Sequence, residues 1–228
     1  TCRYRTCFPT TLWPVTLEAA HLTGRPIVAP GNPRAAGAVA ALRLTLRCRS
    51  PEMTFSQLAP DSLRFYLRGQ PQDVFPLYEL IFNNLISVAL ADSPKDSSPV
   101  ILGADSIATV GFKRDEGVLP YPPRSFLGYR LLTEYFAFPE KFLFFDINRL
   151  SAKTLLQAGN TLEIFLYLNR TSPDLERSLS AVNFAMGCSP IINLFAQRAE
   201  PISVTQETTE YRLVPDARRP LATEAVGA

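Results

Sequence analysis

The most regular feature of the chain is an alternation of apolar and polar residues between residues 42 and 49. The apolar positions are Leu42, Leu44, Leu46 and Cys48. The polar positions between and after them are Arg43, Thr45, Arg47 and Arg49. A period of two over this length is typical of a strand in an antiparallel sheet with one buried face. The same reasoning predicts strands at residues 13–22, 63–68 and 162–168, and shorter apolar runs predict strands at 100–102, 107–110, 142–147, 182–188, 202–204 and 211–214.

Two longer segments instead repeat their apolar residues at helical spacing. The first repeat runs through Leu77, Leu80, Ile81, Leu85 and Val88, and it predicts a helix over residues 73–90. The second predicted helix covers residues 126–136 and is ended by Pro139, because proline disfavours helical backbone in the residue before it. A single helical turn is expected at residues 173–179.

Together these elements predict a β-rich α+β fold, built from antiparallel sheets in a sandwich or barrel-like arrangement with a few short helices. The chain has no internal repeat and no change of composition that would separate two domains. We expect a β-rich domain over residues 1–138 that includes the helix at 73–90. A second β subdomain is expected over residues 139–228, either closely packed against the first or continuous with it.

Composition narrows the classes of function. Hydrophobic residues make up 46% of the chain, which is enough for a packed core. The 23 basic and 21 acidic residues nearly cancel, which argues against nucleic acid as a partner. The most apolar stretch, residues 136–147, is interrupted by proline and three charged residues, so we expect no insertion into a membrane. No signal peptide is visible, and the first residues already resemble ordered sequence, so the chain is expected to be a fragment of a longer protein.

Metal and nucleophile chemistry has little support in the sequence. His21 is the one histidine, so a His-rich zinc site and any catalytic triad that does not use His21 are excluded within this chain. The four cysteines, which are Cys2, Cys7, Cys48 and Cys188, form no Cys-x-x-Cys pair. Reduced thiols in a cytosolic protein are the favoured interpretation, with one disulfide as the alternative. Phosphate-binding and dinucleotide-binding glycine motifs are absent from the sequence, and we expect no catalytic, cofactor-binding or metal-binding residues.

Several residue groups have both a functional and a structural interpretation. The stripe of Arg43, Arg47 and Arg49 is consistent with an anion or RNA site, but a solvated sheet face or the rim of a protein contact is favoured. The adjacent carboxylates Asp115 and Glu116 are interpreted as a solvated turn. The phenylalanines form either a core cluster, which is favoured, or a protein interface if their rings are exposed; they are Phe136, Phe138, Phe142, Phe144 and Phe145.

Two polar groups are harder to assign. On the second predicted helix, Arg130 and Glu134 lie one turn apart and can form an ion pair. The second group mixes charges with rigid turns between residues 210 and 220. A buried ion-pair network and a contact surface for a partner both explain these groups. The candidate structural or interface residues are therefore Tyr129, Arg130, Glu134, Tyr135, Phe138, Arg212, Asp216 and Arg218.

The segment GYRLLTEYFAFPEKF at residues 128–142 closely resembles the signature of the TssF family, also called VasA or ImpG. Further stretches, which follow the order of that family, are similar to it at residues 2–9, 63–67, 77–80, 190–195 and 210–219. TssF-like proteins are the large wedge components of the type VI secretion system baseplate. The family polypeptide is much longer than this chain, so the resemblance implies a central fragment.

The resemblance implies a scaffold and not an enzyme. It implies a protein in the bacterial cytoplasm that assembles with TssG, TssK and TssE, with a second TssF copy as a further candidate partner. These proteins build the wedges that dock the contractile tail to the membrane complex. The alternative is a β-sandwich hydrolase or carbohydrate-binding domain, which requires convergent carboxylates near Asp115, Glu116 or Asp146. A sandwich that binds a small ligand or peptide against the phenylalanines is a third hypothesis.

Overall fold

Strands dominate the part of the chain that the computed structural model describes, which is residues 3–119, 121, 124–205, 207 and 209–218. The strands there are β1 (Arg5–Thr6), β2 (Val15–Thr23), β3 (Ala40–Cys48), β4 (Ser62–Leu67), β5 (Leu85–Ala91), β6 (Val100–Gly103), β7 (Ile107–Thr109), β8 (Phe144–Asn148), β9 (Thr161–Leu168), β10 (Phe184–Met186) and β11 (Ile191–Ile192). The helices are α1 (Phe55–Leu58), α2 (Pro71–Asn84), α3 (Leu127–Ala137) and α4 (Pro173–Ser178). Every strand pair is antiparallel.

The largest sheet has five strands in the order β2-β3-β9-β5-β6. Its inner face carries the leucines of the predicted alternation: Leu44 lies opposite Ala20 on β2 and opposite Ile164 on β9, and all three side chains are fully buried. On the outer face, Arg43 bonds to Glu163 on the neighbouring strand. The period-two pattern therefore predicted both the strand and its buried face correctly.

The second sheet has four strands in the order β10-β4-β8-β7. Phe65 on β4 stacks on Phe145 on β8, with ring centroids 5.3 Å apart. These rings and the inner face of the five-stranded sheet belong to one hydrophobic core, which α2 completes with Leu77 and Ile81. The β-rich α+β class with antiparallel sheets is confirmed, and no sheet within the described residues closes into a barrel.

The predicted helix at residues 73–90 is wrong in its last third. The helix ends at Asn84, and β5 begins at Leu85 with no intervening loop. Strand β5 lies between β9 and β6, and Val88 to Ala91 are buried on both of its faces. A strand buried on both faces is apolar at successive positions, so Leu85 and Val88 fit a helical repeat by coincidence.

Other boundaries differ in smaller ways. The strand predicted at 182–188 is reduced to β10, and residues 202–204 and 211–214 form no strand. The Glu200 amide, two residues before the first of these segments, donates a hydrogen bond to the carbonyl of Val214 in the second. Strand β8 pairs with β4, and strand β9 pairs with β3, so strands from before and after residue 138 share sheets. The division of the chain near residue 138 stays a prediction.

Among the described residues, no helix has the length and apolar character that crossing a membrane requires.

Candidate functional site

Helix α3 is built with its charges inside and its aromatic rings outside. Arg130 and Glu134 are each only 3% exposed, whereas Tyr129 is 70% exposed and Phe136 is 80% exposed. A helix on the surface of a globular protein normally turns its apolar stripe toward the core. The reversal in α3 therefore needs two explanations, one for the buried charges and one for the uncovered rings.

The buried charges are explained by a network of ion pairs and hydrogen bonds. One oxygen of Glu134 contacts the Lys141 ammonium, and the other accepts a 2.7 Å hydrogen bond from the Val118 amide. The Arg130 guanidinium donates to the carbonyls of Arg114 and Lys113 at 2.5 and 2.6 Å. Each buried charge thus has an oppositely charged or hydrogen-bonded partner, which is the condition for keeping charges inside a protein.

A second carboxylate shapes the loop that crosses this network. Glu116 is 6% exposed and accepts hydrogen bonds from the amides of Gly111 and Lys113, at 2.7 and 3.1 Å. Gly111 has a φ of +99°, a conformation that favours glycine. The loop over residues 111–118 is consequently held by Glu116 from within and by Arg130 and Glu134 from the helix.

Lys141 is the most deeply buried cation of the network, with no exposed surface. Burial lowers the pKa of its ammonium, while the hydrogen bond and the charge of Glu134 act in the opposite direction. Its Nζ also lies 4.7 Å from the centroid of the Phe142 ring, a cation–π contact. Glu134 therefore holds the positive charge of Lys141 in place.

The uncovered rings form one surface, which we name the α3 aromatic surface. Its members are exposed large apolar side chains on α3 and at its two ends: Phe126, Tyr129, Leu132, Tyr135, Phe136 and Phe138. Phe126 and Tyr129 meet edge to face at 5.6 Å, and Tyr135 and Phe136 do so at 5.5 Å. Clusters of exposed aromatic residues are typical of protein interaction sites.

A pocket of about 280 Å³ lies at the N-terminal end of α3. Its lining includes Arg5, Arg114 and Arg130, one acidic residue, Asp115, and the ring of Phe126. The pocket therefore adjoins the α3 aromatic surface through Phe126. Its charged lining is mostly basic, which does not match the acidic cleft that a hydrolase needs.

The predicted site residues lie in two separate places. Tyr129 and Tyr135 are exposed on α3, Phe138 is 36% exposed at its end, and Arg130 and Glu134 are buried beneath them. Arg212, Asp216 and Arg218 lie instead in the irregular segment over residues 193–218, of which residues 206 and 208 are outside the described part. Both Arg212 and Arg218 are exposed, and the Asp216 carboxylate accepts a hydrogen bond from the Arg218 amide at 2.9 Å.

The phenylalanine cluster divides into two parts. Phe142, Phe144 and Phe145 are buried, so the core interpretation holds for them, whereas Phe136 and Phe138 belong to the exposed surface. The core interpretation is therefore confirmed for the buried rings, and the interface interpretation stays a prediction for Phe136 and Phe138.

The three carboxylates considered for catalysis do not converge. Asp146 forms a two-bond ion pair with Arg64, Glu116 is buried against backbone amides, and Asp115 is exposed beside the arginine pocket. The expectation that Glu116 lies in a solvated turn is wrong, because its carboxylate organises the buried side of that loop. Within the described ranges, no group of three or more His, Cys, Asp or Glu side chains is placed to hold a metal ion.

The basic stripe is largely neutralised by its own chain. Arg43 bonds bidentately to Glu163 at 2.7 and 2.8 Å, and Arg47 lies 3.1 Å from Glu18.

The described cysteines, Cys7, Cys48 and Cys188, are free thiols, and Cys2 lies outside the described residues. Burial raises the pKa of the Cys7 and Cys48 thiols, which makes them less reactive.

Sequence reasoning missed the two residues that complete the network, Lys141 and Glu116. Lys141 looked like an interruption of an apolar stretch, and Glu116 like half of an exposed acidic pair. Lys141 lies beyond Pro139, which ends the predicted helix, and Glu116 lies before the helix begins, so helical spacing links neither of them to Glu134 or Arg130. The signal for Lys141 was its position inside the run Phe138 to Phe145, where an unpaired lysine would be costly to bury.

Comparison with known proteins places this geometry in a family. The family model for the type VI secretion system protein TssF matches residues 1–227. The chain is 34% identical over 221 residues to the type VI secretion system component TssF1 of Pseudomonas aeruginosa strain PAO1, an alignment that covers 96% of the chain and 36% of that relative.

The fold also has a counterpart among experimental structures. One chain of a TssK-TssF-TssG baseplate subcomplex of the type VI secretion system, determined by cryo-electron microscopy, superposes with a TM-score of 0.70 at 24% identity. The superposition covers 96% of the present chain and 39% of the other. The chain thus spans little more than a third of the length of the relatives it matches. On the family match and the identity to TssF1 together, this chain belongs to the type VI secretion system TssF family.

Proposed function

We propose that this chain is a structural part of a type VI secretion baseplate wedge and acts by protein–protein contact without transforming any molecule. Its proposed partners are TssG, TssK and TssE, with a second TssF copy as a further candidate. The proposed place of action is the bacterial cytoplasm, at the membrane-docked baseplate that receives the contractile tail. Membership of the TssF family and the fold shared with a chain of a TssK-TssF-TssG subcomplex support this proposal.

The observation that carries the proposal is the reversed helix α3. Its outward rings have no cover within the described residues, and the buried ion pairs beneath them fix the helix against the loop at 111–118. A rigid, apolar and exposed element is what a scaffold needs for a partner contact, since ordering it on binding costs little conformational entropy. The polar side chains below it serve to hold that surface in place, and none of them is arranged as a nucleophile and its base.

Capture of the partner proteins tests the proposal. The affinity-tagged full-length gene product is co-expressed with the TssG and TssK proteins of the same genome and recovered under native conditions. We expect both to be retained. We also expect the doubly substituted Tyr129→Ser/Phe136→Ser variant to retain less of at least one of them.

Leu156→Ser is the matched control, because Leu156 is 71% exposed and lies outside the α3 aromatic surface. This control should retain the partners as the unsubstituted protein does. Recovery of neither TssG nor TssK with the unsubstituted protein would overturn the proposed function. Equal retention by the double variant and the control would show instead that another surface makes the contact.

A further inference from the structure

The pocket at the N-terminal end of α3 has more positive charge than its lining neutralises. Three arginines and one aspartate line it, which leaves a net charge of about +2 at neutral pH. Within the described residues, no carboxylate oxygen lies within 4.0 Å of the Arg5 or Arg114 guanidinium. Arg5 instead donates a 3.1 Å hydrogen bond to the Val118 carbonyl, which holds its side chain beside the pocket.

Arg130, which lines the same pocket, has an unsatisfied donor. Its side chain is 4% exposed, and its Nε–H has no hydrogen-bond partner within the described part of the chain. The nearest carboxylate oxygen, on Glu134, lies 4.0 Å away and is beyond hydrogen-bond distance. A buried donor without a partner is uncommon in native structures and often marks a place where another group binds.

The backbone adds to this positive character. Helix α3 is eleven residues long, and its N-cap residue, Phe126, provides no side-chain acceptor for the first-turn amides. The Tyr129 amide donates to the Phe126 carbonyl at 3.2 Å, and the aligned peptide dipoles give this end of the helix a partial positive charge. The guanidinium groups of Arg5 and Arg114, the buried Arg130 and the N-terminus of α3 therefore surround one pocket, and their positive charge favours an anion.

We infer that this pocket accepts the carboxylate of an acidic side chain from a partner protein, whose adjoining apolar side chains cover the α3 aromatic surface. This inference rests on the proposed function, because it specifies the chemistry of the contact. Phe126 lines the pocket and belongs to the aromatic surface, so one continuous segment can occupy both. Asp115 in the lining favours a singly charged carboxylate over a doubly charged phosphate, and a volume of about 280 Å³ suits one side chain.

Charge reversal of the rim arginines tests the inference in the capture experiment described above. Arg114→Glu and Arg5→Glu are used because both side chains are exposed and their replacement leaves the buried network intact. Each should weaken capture by about tenfold or more, as expected for loss of a charge pair that becomes buried on binding. Arg34→Glu, at an exposed arginine outside the pocket, is the control and should leave capture unchanged.

Zero-length cross-linking identifies the occupant. In an Arg114→Lys variant, a carbodiimide joins the introduced amine to any carboxylate in contact with it. We expect mass spectrometry to find a peptide that links position 114 to an aspartate or glutamate of a different protein. The link should be absent from the unsubstituted protein treated in the same way.

The outcomes separate this inference from the proposed function. Capture that is unaffected by Arg114→Glu and Arg5→Glu but lost on substitution of Tyr129 and Phe136 would overturn the inference and leave the scaffold function standing. A cross-link to the same polypeptide or to a second copy of it would refute a carboxylate supplied by a different protein. Loss of capture on adding inorganic phosphate, with no cross-linked peptide, would show that the pocket is a free-anion site.

Discussion

Neutralising Glu134 gives the most direct test of the buried network. In a Glu134→Gln variant the side chain keeps its shape, and its carbonyl oxygen can still accept the hydrogen bond from the Val118 amide. The negative charge between Lys141 and Arg130 is lost, and both cations remain buried. Breaking a buried ion pair on one side costs about 3–5 kcal/mol, because the remaining charge has no compensation.

The expected loss is large enough to measure in two ways. For a chain of this size, about 3–5 kcal/mol corresponds to a fall in Tm of roughly 6–20 °C. The free energy of unfolding from urea titrations should fall by the same energy. Asp174→Asn is the control: Asp174 and Arg177 form an exposed ion pair, and such pairs contribute at most about 1 kcal/mol.

The same variant should respond to pH in a defined direction. Glu134 raises the pKa of Lys141 against the effect of burial, so its neutralisation lowers that pKa further below the ordinary value of 10.5. The unfolded state then binds more protons than the folded state between the two pKa values, and stability rises with pH in that window. Glu134→Gln should therefore recover part of its loss as the pH rises from 7 toward 10.

A second substitution checks the reasoning. In Glu134→Gln/Lys141→Met, the uncompensated ammonium is removed as well, and we expect the double variant to be more stable than Glu134→Gln alone. If the free energy of unfolding of Glu134→Gln at pH 7 lies within about 1 kcal/mol of that of the unsubstituted chain, the network contributes no net stability. The account of why α3 buries its charges would then be refuted.

Three further outcomes are expected. Phe145→Ala, at a fully buried ring, should lower the free energy of unfolding by about 3–5 kcal/mol. Phe136→Ala, at a ring that is 80% exposed, should change it far less, and equal losses would contradict the assignment of Phe136 to the surface. Burial raises the pKa of Tyr167 to about 12, so the free energy of unfolding should fall as the pH rises from 10 toward 12. In urea titrations over that range, Tyr167→Phe should show a smaller fall. Gly111→Ala should lower the free energy of unfolding by about 1–3 kcal/mol because of the positive φ, and an unchanged urea midpoint would show that the loop adapts.

Sequence patterns predicted the elements whose burial is one-sided. Strand β3 alternates because one face contacts the core and the other carries Arg43 and Thr45, so period two identified it. Strand β5 is buried on both faces and has no such alternation, so the apolar pattern extends the predicted helix through it. Segments 202–204 and 211–214 have the composition of strands but no neighbouring strand to pair with in the described part, and local sequence does not carry that information.

The candidate site was predicted in part. The spacing of Arg130 and Glu134 predicts an ion pair, but it does not distinguish a buried network from a contact surface. The structure shows the charges of α3 buried in a network and Tyr129 and Phe136 facing outward, and the contact surface stays a prediction. Lys141 bonds to Glu134 beyond the end of α3, and Glu116 bonds to amides of its own loop, so the burial of both could be assigned only from three-dimensional placement.

The direct passage from α2 into β5 makes this part of the chain intolerant of changes in length. Asn84 is held to Asn169, just after β9, by a side-chain bond of 2.8 Å and a backbone bond of 2.9 Å, and the pairing of β5 with β9 already shifts register once between Leu85 and Ser87. One inserted residue after Asn84 would turn Val88 and Leu90 away from the core and break their pairing with β9. TssF-family proteins should therefore tolerate substitutions at this junction far better than insertions or deletions.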